Sequence, residues 1–128
     1  MKVTGNDFQT GNEGETILSF LRKATEQYPH KVALTYMGKN LTYARLNELI
    51  DRFACALNEL GVRKGDRVVI YLPNSPQFVI AFFGIMKVGA VSVPISPIYT
   101  PEEIEYMTRD SEADTIAVSY THLTLPTN

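Results

Sequence analysis

The chain has 128 residues, the length of one ordinary domain, and its 45% apolar and 20% charged residues fit a globular rather than a disordered protein. Twelve Lys and Arg against fourteen Asp and Glu leave a net charge of −2, without the basic excess that a dedicated nucleic-acid binder carries. One cysteine excludes an internal disulfide framework and a Cys-rich zinc site and suits a reducing compartment, and two distant histidines argue against a His-cluster metal centre.

Residues 1–14 are polar and glycine-rich and predict a flexible arm; the apolar run of a secretory signal peptide is missing. Residues 15–28 carry Ile17, Phe20, Leu21 and Ala24 at the spacing of one helical face, and Pro29 ends that helix. A β-prone run at 32–36, a turn at 37–40 and a return strand from Leu41 read as a hairpin. Thr42 is a good N-cap for a helix over 43–60. Its apolar face is Leu46, Leu49, Ile50, Phe53, Leu57 and Leu60, and its outer face holds Asn47, Glu48, Asp51, Arg52 and Glu59. Gly61 supplies the left-handed residue that terminates it.

From there the rhythm becomes strand, helix, strand, helix. Residues 67–72 form a strand, Pro73 and Asn74 turn the chain, Ser75 caps, and Pro76 takes the first helical position. The helix through Val88 is apolar nearly all round and is expected to be buried on several sides. Its most apolar stretch, 78–88, is too short to span a bilayer and is interrupted by Lys87. Gly89 ends it, residues 90–94 form a continuous apolar strand, and a Pro-containing loop covers 95–99. Thr100, Pro101, Glu102 and Glu103 read as a capping box opening a helix to about Asp110, and a further strand begins at 114–117. Continuous apolar strands joined by helices imply an α/β fold: a partial parallel sheet with βαβαβ crossovers, covered on both faces and preceded by a helix and a hairpin. With no spanning segment the protein reads as soluble and cytoplasmic, with a peripheral membrane contact left open.

Residues 118–128, VSYTHLTLPTN, carry no charge and follow a strand that has barely begun. The bases GTC TCT TAT ACA CAT CTG ACG CTG CCG ACG, a transposon-end sequencing adapter, encode VSYTHLTLPT in order. Ala117 and Asn128 fit the flanking bases in frame. We therefore expect this tail to be non-native and set it aside from the fold, as one would a fusion scar.

Three stretches together carry a family resemblance: LTYARL at 41–46, GVRKGDRV at 61–68, and YLPNS at 71–75 running on to GIMKVGAVSVP at 84–94. They resemble the N-terminal region of the adenylate-forming acyl-CoA synthetases, the superfamily that also holds luciferases and peptide-synthetase adenylation domains. The first stretch resembles the family's first core motif, and 86–94 its second. Arg45 departs from the pattern, which usually has Glu there; this leaves Thr42 as a one-sided cap. The resemblance spans about residues 15–117 and implies an incomplete N-terminal subdomain of a larger ligase. Such a ligase activates a carboxylic acid with ATP to an acyl-adenylate, with Mg2+ offsetting phosphate charge, and passes the acyl group to coenzyme A. The 72–76 and 94–97 stretches lean toward fatty acyl-CoA synthetases.

No catalytic, cofactor-binding or metal-binding residue is carried over. The Ser/Thr/Gly-rich phosphate loop, the adenine segment, the ribose-binding acid and the catalytic Lys of that family have no counterpart in 1–128. The fragment itself is expected to be inactive and to bind none of the parent's ATP, Mg2+ or coenzyme A. Among individual candidates, Ser75 with the Pro76 helix start reads as a cap, and as an anion site in the rival reading of a complete small α/β nucleotide- or anion-binding module. A third reading is a protein-interaction module. Cys55 reads as a small core or boundary residue, His30 as a solvated loop residue, and His122 as part of the tail. Glu102, Glu103 and Glu105 are explained by the helix dipole, and Tyr99 and Tyr106 by an ordinary half-buried surface. A sheet stopped partway exposes an edge, so the fragment is expected to be marginally stable.

Overall fold

The computed structural model describes residues 16–113 and 115–118. The expected arm at 1–14 and nearly all of the tail, His122 included, lie outside the described residues.

Helix α1 (Ile17–Gln27) starts at Thr16 in a capping box: the Thr16 hydroxyl accepts from the Ser19 amide, and the Thr16 amide donates to Ser19 Oγ at 2.8 Å. Strands β1 (Val32–Tyr36) and β2 (Lys39–Thr42) form the expected antiparallel hairpin. Met37 and Gly38 both have positive φ, at 51° and 78°, the pattern of a two-residue I′ turn whose twist matches the strands. The return strand accordingly begins at Lys39 rather than at Leu41.

Helix α2 (Tyr43–Glu59) is capped by Thr42, whose hydroxyl accepts from the Arg45 amide at 3.2 Å. Arg45 gives no reciprocal bond; it pairs with Glu48 at 3.0 Å instead. Gly61, at φ +95°, closes the helix as expected. Leu46, Ile50 and Leu57 are buried, but Leu60 is 75% exposed and does not belong to the apolar face. It is the C-cap residue, still at helical φ and ψ with its amide on the Ala56 carbonyl, and the chain turns away only after it, at Gly61.

Strand β3 (Arg67–Tyr71), helix α3 (Pro76–Lys87), strand β4 (Val91–Pro94), helix α4 (Pro101–Asp110) and strand β5 (Thr115–Val118) follow in the expected alternation. The three strands form a parallel sheet of order β4-β3-β5. Val68, Ile70 and Leu72 alternate onto one face and pack with Leu57, Val62, Ala81 and Ile85. A second cluster joins Leu21, Leu46, Ile50 and Phe83 beneath the hairpin. Helix α3 contributes to both clusters, which is why its sequence is apolar nearly all round. Gly84 lets α2 come close: a Cβ there would sit 2.6 Å from Phe53 Cδ2.

Strand β4 departs from the expectation of burial on both faces. Val91 and Pro94 are exposed, because β4 lies at the edge and pairs only with β3 among the described residues. The described sheet is therefore protected at its centre, where Val68, Val69 and Ile70 are fully buried, and open at β4.

Candidate functional site

In open parallel α/β sheets, ligands bind outside the carboxyl ends of the strands, near the point where the strand order reverses. Here β3 is central, the chain steps to β4 on one side and then to β5 on the other, so the reversal lies between β3 and β5. The described walls of that edge are the 72–75 turn after β3 and the 95–100 loop after β4.

The 72–75 turn is built for a helix start. Ser75 is extended, at φ −165°, and Pro76 takes the first helical position. The Ser75 hydroxyl accepts from the Phe78 amide at 3.3 Å and donates to the Pro73 carbonyl at 2.9 Å. Its donor and its capping lone pair are thus used within the turn, and the cap reading accounts for the residue without an anion.

The 95–100 loop is anchored at its root and presents its tip. Ile95 is buried, and its amide donates to the Ile70 carbonyl at 2.9 Å. The Tyr71 hydroxyl donates to the Pro97 carbonyl at 3.2 Å. The tip carries Ile98, 87% exposed, with the exposed Tyr99 beside it. Thr100 and Glu103 then form the reciprocal capping box, with bonds of 2.9 and 3.2 Å. That bond occupies Glu103, and Glu105 pairs with Arg109. Of the three acids only Glu102 is left to the dipole alone, so together they do not form an acid–base pair. Tyr106 is 69% exposed, not half-buried.

The remaining candidates lie apart from this edge. Cys55 is exposed, not a core or boundary residue. It stands two positions from both Phe53 and Leu57, about 200° around the helix from each, so the buried stripe turns it outward. His30 is exposed in the turn after α1, as expected. Among the described residues no three His, Cys, Asp or Glu side chains converge to hold a metal ion. Neither wall supplies a glycine-rich run of amides with a following cation, the features that cradle a triphosphate and its Mg2+. No described helix is long and apolar enough to cross a membrane.

Besides the Tyr71 bond to Pro97, sequence reasoning missed two polar ties. Lys87, seen only as an interruption of an apolar run, pairs with Asp51 across α2 and α3. Arg67 reaches Glu112 and the Ser111 carbonyl, both at 3.0 Å. The separations of 36 and 45 residues leave no local signal for either.

Comparison with known proteins places this geometry. The family described as AMP-binding enzyme matches residues 21–127. A long-chain-fatty-acid–CoA ligase of Haemophilus influenzae is 41% identical over 105 residues, covering 81% of this chain and 19% of the relative. An Arabidopsis thaliana oxalate–CoA ligase is 35% identical over 109 residues, covering 84% and 21%. Among solved structures, the N-terminal domain of FACL13 from Mycobacterium tuberculosis matches with a TM-score of 0.72 at 35% identity, over 77% of this chain and 25% of that one. The Klebsiella oxytoca NpsA N-terminal subdomain matches at 0.78 and 25% identity, over 89% and 30%. The chain thus spans about a fifth of the length of the curated relatives it matches. Motif order, a parallel sheet of the expected topology and a family match over most of its length agree: the chain belongs to the AMP-binding enzyme family.

Proposed function

We propose that this chain is the N-terminal part of an acyl-CoA synthetase whose acid substrate is a fatty acid. The whole enzyme would join a carboxylate to the α-phosphate of ATP, releasing pyrophosphate, and then exchange AMP for the thiol of coenzyme A. The observation that carries this reading is the 41% identity to a long-chain-fatty-acid–CoA ligase across 81% of the chain. Residues 15–117 serve as scaffold in this reading, and the groups that hold ATP, Mg2+ and coenzyme A come from the four-fifths of the relatives that the chain does not span. The chain alone is inactive, and the parent enzyme works in the cytoplasm.

Purified chain is incubated with fatty acid, ATP and Mg2+, and ATP–pyrophosphate exchange is followed. No exchange above the protein-free rate is expected. Turnover by the chain alone would overturn the scaffold reading. DNA from overlapping reads past codon 117 is expected to encode a glycine-rich phosphate loop followed by Lys; its absence from the full gene would overturn the synthetase reading.

We further take residues 118–128 to be adapter-derived. The match of ten successive residues to the adapter's translation supports this, and the family match reaching residue 127 weighs against it. The nucleotide sequence decides: synonymous codons that differ from the adapter would overturn it.

A further inference from the structure

The odd-numbered residues of β3, Arg67, Val69 and Tyr71, share the face opposite the main cluster, because side chains alternate along a strand. Each end of that row holds the same crossing segment. Arg67 donates to the Ser111 carbonyl and Glu112 at the C-terminal end of α4. Tyr71 donates to the Pro97 carbonyl ahead of its N-terminal end. Between the two ties, Val69 is fully buried.

The segment so held buries little of itself. Helix α4 has no buried residue, whereas α3 buries Ala81, Phe83, Gly84 and Ile85. Ile104 and Met107 of α4 are only half-buried. The helix is organised from within by its capping box and by the Glu105–Arg109 pair. Few buried apolar contacts and ties made by exposed polar groups are the features of a unit that opens below the global unfolding free energy.

We propose that residues 97–112 form a strap that lifts from the odd face of β3 while the rest of the described fold stays intact, with Arg67 and Tyr71 as its two clasps. The Tyr71 clasp lies at the carboxyl edge of the sheet, where open α/β sheets take their ligands. Release there frees the Ile98 loop and uncovers that end of β3. The Arg67 clasp lies at the opposite edge and holds the far end of α4. The inference rests on packing and hydrogen bonds alone and stands whether or not the proposed synthetase reading does.

Hydrogen exchange of the 128-residue chain, read by mass spectrometry on peptides covering α2, α3 and 97–112, tests it. An isolated ten-residue helix does not hold its amides in water, so lifting registers as exchange. Amides of α4 are expected to exchange about tenfold or more faster than those of α2 and α3. Tyr71→Phe and Arg67→Met, which each remove a clasp and keep most of the side chain, should each speed exchange in 97–112 by roughly three- to tenfold. Exchange in α2 and α3 stays unchanged. Equal protection of α4 and α3 would overturn the proposal, and so would variants that speed all three regions alike. A chain whose α2 and α3 amides are themselves unprotected would also overturn it, since the body must hold when the strap lifts.

Discussion

Helices α3 and α4 are neighbours in the chain and close in length, yet they hold to the sheet by different physics. Helix α3 lies between two apolar clusters and buries residues on several sides, Gly84 among them, against Phe53 of α2. Helix α4 buries none and is tied at its ends by Tyr71 and Arg67. Apolar burial is proportional to area and difficult to undo piecemeal, whereas exposed polar ties are individually weak and separable. The first helix should therefore report on global stability and the second on local opening.

The sharpest way to break that contrast is a pair of truncations. Ile85, fully buried in α3, should lose about 2–5 kcal/mol of unfolding free energy on Ile85→Ala, by the cavity and transfer costs of a core deletion. Met107→Ala in α4 removes a half-buried side chain and should cost about 1 kcal/mol or less. Urea titrations of both variants measure the difference; equal losses would erase the distinction between the helices.

Next in size is Gly84→Ala. Any β-carbon there meets Phe53 Cδ2 at 2.6 Å, so the ring or the helix must shift. Overpacking of this kind costs about 1–3 kcal/mol. A neutral or stabilising Gly84→Ala, as helix propensity alone would favour, would show that the α2–α3 approach is looser than drawn. Thr100→Ala should follow, at about 1 kcal/mol for a lost N-cap. Its effect should concentrate in α4 exchange rather than in the global midpoint.

Much of the local structure was legible in residues 42–110. The caps at Thr42, Ser75 and Thr100 and the termination at Gly61 are set by side chains within three or four positions of the helix ends, so sequence carries them. The all-round apolar character of α3 was also readable as burial on several sides. What escaped depends on distant partners. Cys55, beside Ala54 and Ala56, reads as a small core or boundary residue, although the phase set by Phe53 and Leu57 turns it out. The openness of β4 follows from strand order, which its apolar composition does not encode. Of the candidate site, the capping role of Ser75 was legible. The Tyr71 clasp was not, because it spans 26 residues and depends on how the 95–100 loop returns over β3.

The smallest expected effect concerns the two long-range ion pairs among the described residues, which should behave differently for the same reason as the helices. Asp51 and Lys87 join α2 to α3, elements already held together by apolar packing, and both side chains are partly exposed. A double-mutant cycle with Asp51→Asn and Lys87→Met should give a coupling of roughly 0.2–1 kcal/mol, because solvent screens the pair and ordering two side chains opposes it. That coupling should fall as salt rises toward about 1 M, where the Debye length is near 3 Å. It should appear evenly across the exchange of α2 and α3, since neither helix is released when the pair is lost. The Arg67–Glu112 pair is no more buried, with Glu112 80% exposed, so its energy should be no larger. Yet its loss should be concentrated in 97–112, because little else holds that end of α4. If Asp51→Asn instead frees one helix end, or its coupling exceeds about 2 kcal/mol, the α2–α3 contact is held by charge as much as by packing. The contrast between an apolar body and a polar-tied helix would then fail at its first term.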